Sequence, residues 1–299
     1  MKNLLSYYYN IDIDKINETN GDIAHFYIDY QEYYFVKYKR PLGDLQSIYN
    51  LINSYRNKYH HIISNKFGYI YTNYNKENYV LLKINSAPHE ENLLQEIINQ
   101  KKSVQNIKDL NRTNWSNLWS EKIDYIEYQV SEIGKEYPLI NKTINYYIGL
   151  GENAIAYFNN LKIENKNLYI SSKRIFFPNY NINFFNPLNI IIDYKVRDIS
   201  EYIKSAFFEN ADIKQELISV INENKLDELD YNLIFARLLY PSYYFDYIKK
   251  ILEEGTSEEI IIKYVDKVYD YEQFLRWFYK RVSKKYKLIK IDWLIKKES

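Results

Sequence analysis

Cysteine is missing from the 299 residues. That excludes a disulfide scaffold, a thiolate metal site and a cysteine nucleophile. Glycine is scarce, with 7 residues, and neither G-x-G-x-x-G nor G-x-x-x-x-G-K-[ST] occurs. Neither common backbone cradle for phosphate is therefore present. No apolar run approaches the roughly 18 residues of a membrane span, so none is expected. The start MKNLLSYYYNIDID has no signal-peptide profile, which predicts cytoplasmic synthesis without a leader. An excess of one charge is lacking too. Forty Lys and Arg against 39 Asp and Glu leave a net charge of +1, so no global field advertises a nucleic-acid partner.

What the chain does have is aromatic residues, among them 35 Tyr and 14 Phe. Codon composition alone accounts for such a bias. A sharper reading is a Tyr-rich surface that packs or is cross-linked into an assembly. The length fits two domains or one bilobal unit.

Residues 22–38 read as a hairpin, with DIAHFYID and EYYFVKY alternating about Asp29-Tyr30-Gln31. Leu45, Ile48, Ile52, Tyr55 and Tyr59 recur at steps of three and four, which predicts a helix over 44–59 behind Gly43-Asp44. FGYIYTN (67–73) and YVLLKI (79–84) read as strands, and a first strand could precede the hairpin. The polar stretch NSAPHEEN (85–92) reads as a connector. Beyond it the pattern is helical: Trp119, Ile123, Ile126, Val130 and Ile133 make an amphipathic face, and GENAIAYFNNL (151–161) predicts another helix. LYIS (168–171) and NIIIDY (189–194) are strand-like. Helices are expected over 199–210, 212–223, 228–252, 257–269 and 270–284, broken at Pro241 and Gly255. The expected class is α+β: a bilobal protein-kinase-like fold. Its β-rich N-lobe spans 1–84, with an antiparallel sheet and one helix, and its larger helical C-lobe spans 93–299.

INYYIGLGENAIAYF (144–158), IIIDYKVRDISEYIKSAF (190–207), ARLLYPSYYFDYI (236–248) and WSNLWSEKIDYIE (115–127) resemble the YutH-type spore coat proteins of the CotS family. That family shares the fold of aminoglycoside and choline/homoserine phosphotransferases. The resemblance implies a spore coat location and other coat proteins as partners, with ATP as a further candidate ligand.

Phosphoryl transfer on this fold needs a lysine on the phosphates with an acidic partner, a catalytic-loop Asp, and an Asn and Asp for Mg²⁺. Lys37, on the third strand, is the candidate nucleotide-binding lysine; the plainer reading is a strand-end lysine snorkelling to solvent. The helix that follows has no Glu in its body, and Asp44 reads as a cap. In active relatives of this fold the catalytic run is H-G-D-x-x-x-x-N. Here LYISSKRIFFPNYN places Ser172 and Arg174 where His and Asp would fall, and no carboxylate lies between Asn167 and Asp193. No catalytic residue is therefore assigned. Asn179 or Asn181 could stand in for the metal-binding Asn. Asp193, ending an apolar strand, is the candidate metal ligand, against a structural turn residue; Asp198 reads as an N-cap. His25, His60, His61 and His89 are scattered. The stretch YKRVSKKYKLIKIDWLIKK reads as a solvated basic face over a packed apolar stripe, or as a docking segment. The expectation is a binding or scaffolding module of the coat, catalytically degenerate and without a required cofactor. The alternative is an ATP- and Mg²⁺-dependent phosphotransferase acting on a small hydroxyl or amine acceptor.

Overall fold

The structure is a computed structural model that describes all residues except 14, 20–21, 55–58, 86–92, 100–102, 165, 176–184 and 296–299. Two tight turns organise the N-lobe. Asp29 and Tyr30 have φ of 48° and 64°, and Asn75 and Lys76 have 49° and 64°. Paired left-handed residues match the twist of a two-residue hairpin. The first turn joins β2 (Ile23–Ile28) to β3 (Gln31–Lys37), and the second joins β5 (Thr72–Tyr74) to β6 (Glu77–Lys83). With β1 (Ile16–Thr19) and β4 (His61–Ile63) they form an antiparallel sheet of order β1-β2-β3-β6-β4, with β5 also on β6.

The strand period of two divides this sheet into two buried faces. Phe26, Phe35, Tyr79 and Leu81 face helix α1 (Lys2–Tyr9) through Leu4 and Leu5. Tyr34, Val36, Val80 and Leu82 face helix α2 (Leu42–Asn53) through Leu45, Ile48 and Ile52. The helix expected over 44–59 stops at Asn53, and Tyr55 lies outside the described residues. His61–Ile63 instead pairs with Leu81–Lys83, because the central strand β6 has a second edge to satisfy. Most of the strand expected over 67–73 is a loop. The Asn65 side chain accepts from the backbone N–H of Phe67 and Tyr69 and donates to the Tyr71 carbonyl, which fixes the loop.

The C-lobe begins with α3 (Leu93–Asn99) and the short β7 (Ser103–Val104). Then come α4 (Trp115–Ile133), α5 (Pro138–Asn159), β8 (Leu168–Ser172) and β9 (Ile190–Asp193). Helices α6 (Arg197–Phe208), α7 (Lys214–Asn222), α8 (Glu228–Leu239) and α9 (Ser242–Glu254) follow. Short α10 (Ile262–Val265), α11 (Val268–Val282) and short α12 (Asp292–Ile295) complete it. The 4-3-4 spacing on α4 buries Trp119, Ile123 and Ile126. Gly151 lets α5 approach closely: a Cβ there would stand 2.8 Å from Ile123 Cδ1 and 3.3 Å from the Phe245 ring. Pro241 separates α8 from α9, and Gly255, at φ 63°, ends α9. Ser257 accepts from the Glu259 N–H, as a helix start requires, while the Glu258 carboxylate accepts from Leu139 and Ile140 N–H at the start of α5. In the basic C-terminal stretch Leu288, Ile291 and Leu294 are buried in the main core, so the described part is a packed stripe.

The lobes share apolar contacts. Leu45, Ile48 and Ile52 of α2 cluster with Leu110, Ile190 and Ile192. Arg40 Nη1 donates to the Leu188 and Ile190 carbonyls at 3.0 and 2.8 Å. The connector expected over 85–92 lies, apart from Asn85, outside the described residues. Among the described residues no helix is long and apolar enough to cross a membrane.

Candidate functional site

The ends of β8, β9 and α8 and the starts of α6 and α9 meet beneath the N-lobe. On α6, Arg197, Glu201 and Lys204 are spaced four and three apart, so they share one face of a helix that is buried nearly all round. Glu201 is the hub. Arg237 donates to its Oε1 from Nη2 at 2.6 Å, Lys204 Nζ lies 3.2 Å away, and Arg174 Nη1 lies 3.6 Å from Oε2. Burial pushes this carboxyl up, but Lys204, Arg174, Arg237 and Arg197 together hold it well below the usual range. The counterpart falls on Lys204. Burial lowers its ammonium, Glu201 opposes, and the three guanidinium groups add to the lowering. Lys204 is anchored by donation to Ser242 Oγ at 2.6 Å. The Arg237 guanidinium also lies over Trp115, 4.9 Å from the ring centre.

Arg174 follows β8 and lies beside this hub. Its Nε donates to Asp246 Oδ2 at 2.6 Å, and Nη2 is equally close. Asp246 is held below its ordinary value: burial raises it, and Arg174 more than offsets that. Asp193 is fully buried and its oxygens are engaged. Oδ1 accepts from Tyr194 N–H at 2.7 Å and Trp115 Nε1 at 2.9 Å; Oδ2 accepts from Arg197 Nη1 at 2.8 Å. Asp198 accepts from Ser172 N–H at 2.6 Å, so it clamps the end of β8 rather than capping its own helix.

Lys37 lies elsewhere. It has the parity of Phe35, so it projects on the α1 side of the sheet, whereas Tyr34 and Val36 face α2. Its ammonium pairs with Glu77 at 3.1 Å and Asp22 at 3.6 Å. Asp44 is buried and makes no side-chain cap. It lies 2.9 Å from Arg40 and 3.4 Å from Arg112. The cation that meets the first turn of α2 is thus Arg40, three residues beyond the candidate. The i,i+4 spacing of Arg40 and Asp44 was a visible signal for it.

Above this floor lies a cleft of about 410 Å³. Nine Lys or Arg residues line it with only two carboxylates, Asp44 and Asp246, among the described residues. These groups do not fit a nucleotide held through Mg²⁺. The lining is cationic, and the oxygens of Asp193 already accept from Trp115, Tyr194 and Arg197. Asn179, Asn181 and His89 lie outside the described residues. His25 pairs with Glu32, and no cluster of three His, Asp or Glu suited to a metal occurs among the described residues.

The sequence pattern of the family described as "Spore coat putative kinase YutH" matches residues 2–278. The chain belongs to this family. It is 26% identical over 214 residues to the endospore coat-associated protein YutH of Bacillus subtilis (strain 168), a match covering 62% of each chain. The matched region is therefore under two thirds of that relative's length. Among solved structures it is similar to an aminoglycoside phosphotransferase from Alicyclobacillus acidocaldarius, with a TM-score of 0.55 and 8% identity, covering 93% of this chain and 95% of that one. It is also similar to AMP-bound spectinomycin phosphotransferase APH(9)-Ia, with a TM-score of 0.58 and 12% identity, covering 90% and 92%. These likenesses show the aminoglycoside phosphotransferase-like fold, the α+β bilobal class expected from the sequence. The segments that carry the family resemblance supply much of the cleft lining: Trp115, Trp119 and Lys122, then Ile191 and Arg197, then Arg237, Tyr240 and Asp246.

Proposed function

We propose that this protein is a component of the spore coat in which the kinase-like fold serves binding or scaffolding rather than phosphoryl transfer. The observation that carries this reading is Arg174. It stands where the fold needs a carboxylate, and it is fixed by Asp246 and Glu201. Loss of a general base typically costs 10²–10⁴-fold in rate. A fixed guanidinium there also repels a divalent cation. Asp246 is the helical-lobe carboxylate that a phosphotransferase reading would need, and its Oδ2 is already taken by Arg174.

Coat association is supported by the family and by the coat-associated relative, and other coat proteins are the natural partners. The tyrosines contribute less surface than their number suggests. Eleven are buried and eight are exposed among the described residues, and the rest are half-buried. Five of the exposed ones, Tyr7, Tyr27, Tyr30, Tyr69 and Tyr74, are on the N-lobe, which makes that lobe the better candidate for contact with other coat proteins. Immunoblots of intact and coat-extracted spores test this. The signal should leave with the coat extract. A signal unchanged by extraction, or confined to vegetative cells, would remove the assignment.

A further inference from the structure

The chain is almost neutral, yet its interlobe cleft is not. Composition cannot produce that contrast, because 39 acidic residues were available to neutralise it. Four residues set the local charge. Arg40 and Arg112 share one carboxylate, Asp44. Lys122 on α4 and Lys173 after β8 line the same cleft, and neither has a carboxylate within 4 Å among the described residues. Both lysines are under the influence of Arg174, Lys249 and Asp246, which places them around the same spot. Burial draws the half-buried Lys122 ammonium down to about 8; Asp246 opposes this, and Lys249 and Arg174 add to it. Lys173 is lowered as well, first by desolvation within the cleft and then by Arg174, although the residue is exposed overall. Unpaired cations held this close repel one another, and an anion between them relieves the repulsion.

We propose that this cleft is a metal-independent site for a multivalent phosphate anion, bound by Lys122 and Lys173 together with Arg40, Arg112 and Arg174. Phosphate is the chemistry that fits. A short phosphate chain concentrates several charges in a few hundred cubic ångströms, and guanidinium forks match its oxygens. In a catalytically active kinase-like cleft Mg²⁺ neutralises the phosphates. Here the side chains replace the metal. The site therefore prefers the metal-free anion, and excess Mg²⁺ competes with it.

Calorimetry on the full chain at low ionic strength tests this, with tripolyphosphate and ATP in separate arms, each in EDTA and in excess Mg²⁺. Tripolyphosphate should bind in EDTA and weaken several-fold in Mg²⁺. The Lys122→Gln/Lys173→Gln double variant should lose about tenfold or more in affinity while melting no lower than the parent, because a half-buried ammonium is removed. Lys37→Gln, on the far side of the sheet, should bind as the parent does. Affinity should fall as pH rises through about 8, as Lys122 loses its proton among Asp246, Lys249, Glu253 and Arg174, and that component should be absent in Lys122→Gln. Equal binding of both ligands supports recognition of a bare phosphate chain, and tighter ATP binding supports a nucleotide as the source. No heat from either ligand in EDTA, binding only with Mg²⁺, or a double variant that binds normally would overturn the proposal. The first and last of these would leave the non-catalytic reading standing.

Discussion

Glu201 holds together the most heavily charged part of the interior. It is 4% exposed and faces Arg237, Lys204, Arg197 and Arg174. Neutralising it leaves buried cations without their counter-charge. Glu201→Gln should therefore destabilise the protein by about 3–5 kcal/mol, read as a shift of the urea midpoint. A midpoint within error of the parent would show that the network is dispensable. Lys122 gives a pH signature of its own. Its folded value, about 8, lies below the unfolded 10.5, so between those limits the unfolded chain binds the extra proton. Stability contributed through this residue should rise with pH from about 8 upward. Buried tyrosines such as Tyr38, raised by burial to about 12, act in the opposite sense above about pH 10. The difference between parent and Lys122→Gln isolates the lysine. At this scale the sequence was only partly legible. The absence of a carboxylate between Asn167 and Asp193 could be read directly, because it is visible in a string of letters. The side of the sheet from which Lys37 projects could not, since one residue of strand parity decides it. The bond from Trp115 to Asp193 spans 78 positions and no local pattern announces it.

A helix with a long 3-4 repeat was read correctly because burial of one face is written along the chain, as in α4. Short strands were not. His61–Ile63 has three residues, too few to show a period, and its pairing with β6 is a long-range contact that no local pattern announces. The helical breaks at Pro241 and Gly255 were legible from backbone chemistry alone. Gly151 shows what one residue does for an element. It sits inside α5, where glycine costs about 1 kcal/mol against alanine, and it is kept where Ile123 and Phe245 press closest. Gly151→Val should destabilise by about 1–3 kcal/mol through overpacking against α4 and α9. Thermal melts check this; an unchanged melt would mean that the three helices can separate without loss.

Across the whole molecule, the fold is aminoglycoside phosphotransferase-like, and the function proposed above sets binding in place of phosphoryl transfer. The lobes, the cleft and the element order are kept. Arg174 is paired with Asp246 and Glu201, and the strand-end Asp193 is sealed beneath Trp115 and Arg197. Composition concealed this, because a net charge of +1 averages over a cationic cleft and an acidic remainder. The measurement that tests the central claim most directly is phosphate release from ATP with Mg²⁺ by purified protein, with Asp193→Ala alongside. Parent and variant should both stay at the background of uncatalysed hydrolysis. Steady turnover by the parent that survives repurification and disappears in Asp193→Ala would contradict the claim and favour the phosphotransferase reading.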